Sequence, residues 1–234
     1  MPYNDTTLVI PTLNEKETLP ILIKKVLGSY DGINILVVDD GSKDGTLESM
    51  KKFTSNRRVN VLDRKKLGKK PGLTASILDG IMKSSTRYVI VMDADLQHPA
   101  KKISKIHDDL AKGYKLVVAV REQVMDWPLY RKIISRSLSG IGYVILFANG
   151  KKVTADIFSG FFGIDRKTAA SIISREKVRF VGEGYKFLFD LLKSIDTKDE
   201  IAISEVKYSF GNRKFGESKA GAKQVMALFK SYVT

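Results

Sequence analysis

The chain has 234 residues, of which 43% are hydrophobic, so it can bury the core of one large domain. It contains no cysteine, which excludes disulfide bonds and thiolate metal sites. A net charge of +14 indicates an anionic partner such as a nucleotide, a nucleic acid or an anionic lipid surface, although a solvated lysine-rich surface would explain part of it.

The first 121 residues alternate between apolar strand patterns and helical spacing. Predicted strands cover residues 7–11, 33–38, 58–62, 88–92 and 116–120, and predicted helices cover residues 15–29, 72–84 and 99–112, with a shorter one ending at residue 53. Asn14 is the expected N-cap of the first helix. Strands separated by helices are typical of parallel βαβ units. The pattern therefore predicts an α/β fold with a Rossmann-like, mostly parallel sheet flanked by helices.

The pattern changes after Arg121. Residues 127–147 mix basic and apolar side chains, and residues 157–164 are aromatic and contain glycine. Residues 183–192 have helical spacing, residues 202–210 alternate like a strand, and a basic, glycine-containing loop follows. No linker separates the two halves, so we expect one domain over residues 1–234. Within it, residues 1–121 would bind a nucleotide and residues 122–234 an acceptor.

Two carboxylates, those of Asp93 and Asp95, follow the strand pattern of residues 88–92. In an open parallel sheet this edge is where ligands bind. Paired carboxylates repel each other unless a cation or hydrogen-bond donors compensate them. A Mg²⁺ or Mn²⁺ ion carrying a diphosphate is the natural occupant, because hard cations take oxygen ligands. The alternative is that both carboxylates cap the helix that follows Pro99.

Polar residues also follow the first two predicted strands, at residues 11–15 and at Asp39 and Asp40. If these strands are neighbours, the carboxylates crowd one edge, which is costly unless cations or the donors of a sugar or base bind there. Each group alone also fits an ordinary turn or helix cap. No P-loop and no GxGxxG motif is present. Of the two histidines, His98 lies where it could touch a phosphate, and His107 is expected on a helix surface.

Three stretches resemble the signature blocks of family 2 glycosyltransferases with the glycosyltransferase A fold. They are residues 10–15 (IPTLNE), 37–46 (VVDDGSKDGT) and 92–99 (MDADLQHP). Later blocks resemble the dolichol-phosphate mannose synthases of that family, at residues 131–136 (RKIISR), 159–161 (SGF) and 216–219 (GESK). The matching blocks run from about residue 8 to residue 219, so the resemblance covers nearly the whole chain.

The resemblance implies an inverting transfer of mannose from GDP-mannose to dolichyl (polyprenyl) phosphate. It implies Mg²⁺ or Mn²⁺ at Asp93, Asp95 and Gln97, and catalytic roles for Asp95, Arg121 and Arg136. The acceptor phosphate is expected at Arg131, Arg136 and Ser139. The nucleotide sugar is expected at Pro11, Thr12, Asn14, Glu15, Val38, Asp39, Asp40, Ser42, Asp93, Ala94, Arg121, Arg213 and Lys219.

Two other functions stay open. A polyprenyl-phosphate glucosyltransferase that uses UDP-glucose would share these motifs. A nucleic-acid-binding module would fit the charge, but no signature of one is present and the acidic strand ends would stay unexplained, so no nucleic-acid partner is expected.

We expect the chain at the cytoplasmic face of a membrane. No signal peptide and no stretch long enough to span a bilayer is visible. Contact would be peripheral, through a partner protein, or through a C-terminal segment absent from this sequence. Residues 127–147 are the candidate contact, the alternative being an ordinary amphipathic core helix.

Overall fold

The fold is a single mixed sheet, seen in a computed structural model that describes residues 2–53, 55–124, 129–180, 186–211 and 232. Within these ranges seven strands pair in the order β3-β2-β1-β4-β6-β5-β7. The strands are β1 (Thr6–Thr12), β2 (Asn34–Asp39), β3 (Val59–Asp63), β4 (Tyr88–Val91), β5 (Leu116–Val124), β6 (Phe162–Asp165) and β7 (Ile203–Phe210). Neighbouring strands are parallel except around β6, which runs antiparallel to β4 and β5.

Helices cover both faces of this sheet. They are α1 (Leu19–Ser29), α2 (Thr46–Ser49), α3 (Leu73–Lys83), α4 (Ile103–Ala111), α5 (Leu129–Ala148), α6 (Arg166–Arg175) and α7 (Phe187–Ser194). Successive residues of β1 point to opposite faces: Leu8 and Ile10 pack in the core with α1 and α4, and Val9 packs in the core with α3, α6 and α7. β-Branched and other apolar residues fill β1, β2 and β4 because both faces are buried. The predicted α/β fold, a mostly parallel sheet flanked by helices, is confirmed.

The second half joins the same sheet. Strand β7 extends it beside β5, and β6 lies between β4 and β5. Strand β6 and helix α6 were not predicted, because a four-residue strand with a glycine carries almost no periodic signal. Asp165 ends β6 and caps α6, accepting a hydrogen bond from the Thr168 N–H at 3.0 Å. The spacing of these two residues is an N-cap signal that could have located α6.

Two local predictions were wrong. Helix α1 begins at Leu19 rather than at residue 15, and Asn14 is not its cap; Asn14 has φ +52° and its Oδ1 accepts from the Lys43 N–H at 2.8 Å. The chain turns there because it binds the loop after β2 instead of entering a helix. His107 is buried rather than on the surface, with Nε2 3.1 Å from Asp5 Oδ1 and the rings of Tyr3 and Tyr88 against it.

Candidate active site

The carboxyl ends of β1, β2 and β4 meet at one edge of the sheet. Thr12 at the end of β1 lies beside Asp39 at the end of β2, and Val9 lies beside Val91 at the end of β4. The loop that carries Asp93 and Asp95 starts directly after that last strand. The three groups of polar residues that the sequence placed at strand ends therefore lie on neighbouring strands, which is the condition that the sequence analysis set for the carboxylates to crowd one edge.

Asp39 shapes the loop that follows β2. Its carboxylate is fully buried; Oδ1 accepts from the N–H groups of Gly41 and Ser42, both at 2.9 Å, and Oδ2 accepts from Ser42 Oγ at 2.5 Å. These bonds are those of a tight turn, one of the two interpretations left open by the sequence. A ligand at this loop would meet a surface whose shape Asp39 sets.

The loops after β1 and β2 are bonded to each other. The Asn14 N–H donates to Ser42 Oγ at 2.8 Å, and the Glu15 N–H donates to Thr46 Oγ1 at 2.9 Å. The Glu15 carboxylate accepts from Thr18 Oγ1 at 2.7 Å. Because groups of the two loops bond to each other, the loops form one preorganised surface at this edge of the sheet, which we call the wall of the candidate site.

A buried arginine that the sequence analysis missed supports this wall. Arg64 follows β3, is 3% exposed, and its guanidinium contacts the carboxylates of Asp40 and Asp79, the second at 2.7 Å from Nε. Asp40 Oδ2 also accepts from the Gly72 N–H at 2.7 Å, at the start of α3. Asp40 thus joins the β2 loop to α3. The available signal was an arginine directly after a predicted strand, at the same edge as the acidic residues.

The loop after β4 carries Asp93, Asp95, Gln97 and His98. The Asp93 side chain is 29% exposed, whereas Asp95 is buried and its Oδ1 accepts from the Gln97 N–H at 3.1 Å. Gln97 Nε2 donates to the Gly211 carbonyl at 2.9 Å. The helical turn that begins after Pro99 has no side-chain cap, so the capping alternative for the two carboxylates is wrong.

The acidic pair fits a hard cation only with help from a ligand. Among the described residues, no group of three or more His, Cys, Asp or Glu is placed to hold a metal ion. Asp93 and Asp95 supply two carboxylates, and a Cβ at Gly160 would lie 2.7 Å from Asp93 Oδ2, so the glycine keeps space beside that carboxylate. Mg²⁺ takes about six oxygen ligands. The remaining oxygens would come from Gln97, water and a bound diphosphate.

Arg121, in β5, brings a positive charge to the same region. Its Nε and Nη2 donate to the two oxygens of Asp156 at 2.6 and 2.9 Å, and its guanidinium lies over the Phe210 ring. Burial lowers the pKa of Arg121, but the hydrogen bonds and charge of Asp156, with the charge of Asp93, raise that pKa more. The guanidinium therefore stays cationic. Asp156 was missed, because nothing near it in sequence marks it as a partner of Arg121.

The other predicted site residues differ in how they are placed. Pro11, Val38 and Ala94 are buried, so a ligand would meet their backbone. Arg136 is exposed and Ser139 half-buried, three residues apart on α5 and hence on one side of it. The side chain of Arg131, and all of Arg213 and Lys219, lie outside the described residues.

Comparison with known proteins gives relatives over nearly the whole chain. A dolichol-phosphate mannosyltransferase of Pyrococcus furiosus is 33% identical over 96% of this chain, which spans 61% of that protein's length. A dolichol-phosphate mannosyltransferase of Saccharomyces cerevisiae is 27% identical over 94% of this chain and 82% of its own.

The fold also matches solved structures. A glucosyl-3-phosphoglycerate synthase from Mycobacterium tuberculosis, in complex with Mn²⁺, UDP-glucose and phosphoglyceric acid, superposes with a TM-score of 0.67 and 20% identity, over 97% of this chain and 79% of that one. The predicted glycosyltransferase A fold is confirmed. The family model described as glycosyl transferase family 2 matches residues 7–172, which is most of the chain. The chain therefore belongs to glycosyl transferase family 2.

Proposed function

We propose that this chain transfers mannose from GDP-mannose to a polyprenyl phosphate such as dolichyl phosphate, with inversion at the anomeric carbon. The observation that carries the proposal is the placement of Asp93 and Asp95 beside the bonded loops after β1 and β2, in a chain whose relatives are named dolichol-phosphate mannosyltransferases. The nucleotide of the donor would lie on those loops, with its diphosphate at Asp93 and Asp95.

The acceptor needs no general base in this reaction. A phosphate monoester is already ionised at neutral pH, so its oxygen can attack the anomeric carbon directly, unlike a sugar hydroxyl. The difficulty lies in the leaving GDP, whose diphosphate gains charge as the glycosidic bond breaks. A Mg²⁺ or Mn²⁺ ion held by Asp93, Asp95 and Gln97 would offset that charge.

Arg121 would add a fixed positive charge on the acceptor side of the diphosphate. The Asp156 carboxylate holds its guanidinium by two hydrogen bonds, which restrict the plane of the group. Arg136 and Ser139 on α5 would contact the acceptor phosphate, together with Arg131. Arg213 and Lys219 would complete the cations around the two phosphates.

We also propose that the C-terminal half of α5 rests on an anionic membrane surface at its cytoplasmic face. One side of this helix is packed, with Leu146 fully buried, while Ile141, Val144 and Phe147 are exposed, Phe147 by 82%. An apolar helix face of this kind, on a chain of net charge +14, would allow contact with an anionic lipid interface through both apolar burial and electrostatic attraction. None of the helices in the described ranges has the length and apolar character to cross a bilayer.

The donor is tested by nucleotide release. Purified protein is incubated with a short polyprenyl phosphate and Mg²⁺ or Mn²⁺, and GDP or UDP release is measured from GDP-mannose, GDP-glucose, UDP-glucose and UDP-galactose. The proposal expects release from GDP-mannose that depends on both the lipid and the cation. Faster release from UDP-glucose would contradict the donor and favour the glucosyltransferase alternative.

A further inference from the structure

His98 occupies an aromatic box beside the acidic loop. Its ring is buried, and the ring centroids of Phe161, Tyr208 and Phe210 lie 5.3, 5.6 and 5.3 Å from its own. The box draws its walls from the β6 region and from β7, which are remote from His98 in sequence. The surrounding rings restrict how the imidazole can turn, and both of its ring nitrogens meet polar partners.

The two nitrogens of His98 link a carboxylate to a phenol. Nε2 lies 3.2 Å from Asp93 Oδ2, and Nδ1 lies 2.8 Å from the hydroxyl of Tyr208. A carboxylate only accepts, so Nε2 must carry the proton and donate to Asp93. In a neutral imidazole Nδ1 then accepts, and Tyr208 donates to it. Burial raises the pKa of the Tyr208 phenol, which keeps it protonated as this arrangement requires.

The backbone holds the loop to β7 at the same place. The Gly211 N–H donates to the Gln97 carbonyl at 3.0 Å, and Gln97 Nε2 donates back to the Gly211 carbonyl at 2.9 Å. Leu96 adopts φ +63°, a left-handed conformation rare for leucine, just before the paired Gln97. The loop is thus held both through its main chain and through His98, and Gly160 lies against the same Asp93 carboxylate.

We propose that Tyr208 and His98 are positioning residues that hold the Asp93 carboxylate in the orientation needed to bind a divalent cation together with a nucleoside diphosphate. With Oδ2 held by His98, Oδ1 would be the Asp93 oxygen left for the cation. Hydrogen-bond partners behind a metal ligand commonly fix its geometry and tune affinity in this way. The inference rests on the proposed function, since it assigns the cation site of that reaction to Asp93.

The first test reads the hydrogen bonds without any cation. The chain has two histidines, so ¹⁵N–¹H correlation spectra of the imidazoles contain two ring systems, which a His107→Gln variant assigns. The proposal expects His98 as the pure Nε2–H tautomer in the parent and in Tyr208→Phe, because the Asp93 carboxylate still accepts from Nε2 in that variant. Loss of the Tyr208 hydrogen bond should move the Nδ1 resonance of His98 in Tyr208→Phe and leave His107 unchanged. A tautomer mixture at His98 in the parent would overturn the proposed hydrogen bonds from Tyr208 through His98 to Asp93, independently of which nucleotide sugar the protein uses.

The second test measures Mn²⁺ binding in the presence of GDP, counting free Mn²⁺ by electron paramagnetic resonance. Tyr208→Phe should weaken Mn²⁺ binding by up to about tenfold, the lower end of the usual effect of losing a ligand's direct partner, because Tyr208 acts on Asp93 through His98. Tyr30→Phe is the matched control, because Tyr30 is also buried and donates its hydroxyl, but to the carbonyl of Ala100 at 2.7 Å. It should bind Mn²⁺ like the parent.

Together the two tests distinguish a failure of the positioning role of Tyr208 and His98 from a failure of the proposed reaction. A moved Nδ1 resonance with unchanged Mn²⁺ binding in Tyr208→Phe would overturn the positioning role and leave the proposed reaction standing. A parent protein that binds no Mn²⁺ with either GDP or UDP would overturn the cation site itself. Equal weakening in Tyr30→Phe would overturn the specific role of Tyr208, because it would trace the loss to the core.

Discussion

Replacing Arg64 by methionine should strongly destabilise the wall of the candidate site. The Arg64 side chain is 4% exposed, and its partners Asp40 and Asp79 are 9% and 22% exposed. Breaking a buried ion pair by removing one partner costs about 3–5 kcal/mol, because the other charge stays buried. Asp79 keeps Lys69 Nζ at 2.6 Å and Asp40 keeps the Gly72 N–H. We therefore expect the lower end, about 3 kcal/mol.

Urea unfolding followed by circular dichroism measures this loss. Asp40→Asn introduced into Arg64→Met should restore part of the stability, with a coupling of at least about 1 kcal/mol, since it removes the stranded charge. Lys207→Met is the control, because Lys207 pairs with Glu122 at 3.6 Å with both side chains exposed, where such pairs contribute about 0–1 kcal/mol. A loss below about 1 kcal/mol in Arg64→Met, or strict additivity in the double variant, would refute the reasoning.

Four further outcomes are expected. Asp95→Asn should abolish Mn²⁺-dependent GDP release with little change in unfolding free energy, Asp108→Asn on α4 being the control; a near-normal rate would contradict the cation assignment. Arg136→Ala should raise the KM for polyprenyl phosphate about tenfold, through loss of a charge-assisted bond, and leave the KM for GDP-mannose unchanged; equal effects on both would point elsewhere. Asp165→Ala should lower the unfolding free energy by about 0.5–2 kcal/mol at pH 7, and Asp165→Asn, which keeps the cap, by less. Burial alone would raise the pKa of Asp165, but the Thr168 hydrogen bonds and nearby cations lower that pKa overall. The stabilisation by the Asp165 carboxylate is therefore present above about pH 4 and shrinks as the pH falls below it. A loss that does not depend on pH would contradict a role for the negative charge of Asp165. Val144→Ser combined with Phe147→Ser should weaken sedimentation with anionic liposomes, whereas Ile21→Ser with Met82→Ser, at apolar residues exposed elsewhere, should not; equal loss in both pairs would contradict the α5 surface.

The fold class and the polar residues at the strand ends could be predicted from the sequence, because both depend on local patterns. The β-branched runs of β1, β2 and β4 are buried on both faces, and each is followed by polar residues at the point where a parallel strand ends. The family resemblance rested on those same strand ends. The strand pattern and the alternation with helices were therefore enough to predict the fold class. They placed Asp39, Asp93 and Asp95 at strand ends, and the strand order of the structure brings those ends to one edge.

Side-chain contacts between residues that are distant in sequence could not be predicted from local patterns. Arg64 contacts Asp40, Arg121 contacts Asp156 and His98 contacts Tyr208, and each pair is more than 20 residues apart, up to 110. No local period marks such partners. The antiparallel pairing of β6 with β4 and β5 also joins segments that are distant in sequence. The start of α1 was misplaced because the bonds of Asn14 and Glu15 to the β2 loop outweigh their local preference for a helix start.

The most direct measurement of the central claim is the mass of the lipid product. After incubation with GDP-mannose, Mg²⁺ and a short polyprenyl phosphate, the extracted lipid is analysed by mass spectrometry. We predict a polyprenyl phosphate that has gained one hexose and keeps a single phosphate, because the acceptor oxygen attacks the anomeric carbon and GDP leaves. A lipid that gains a hexose phosphate, or GDP release that leaves the lipid unmodified, would contradict the proposed transfer.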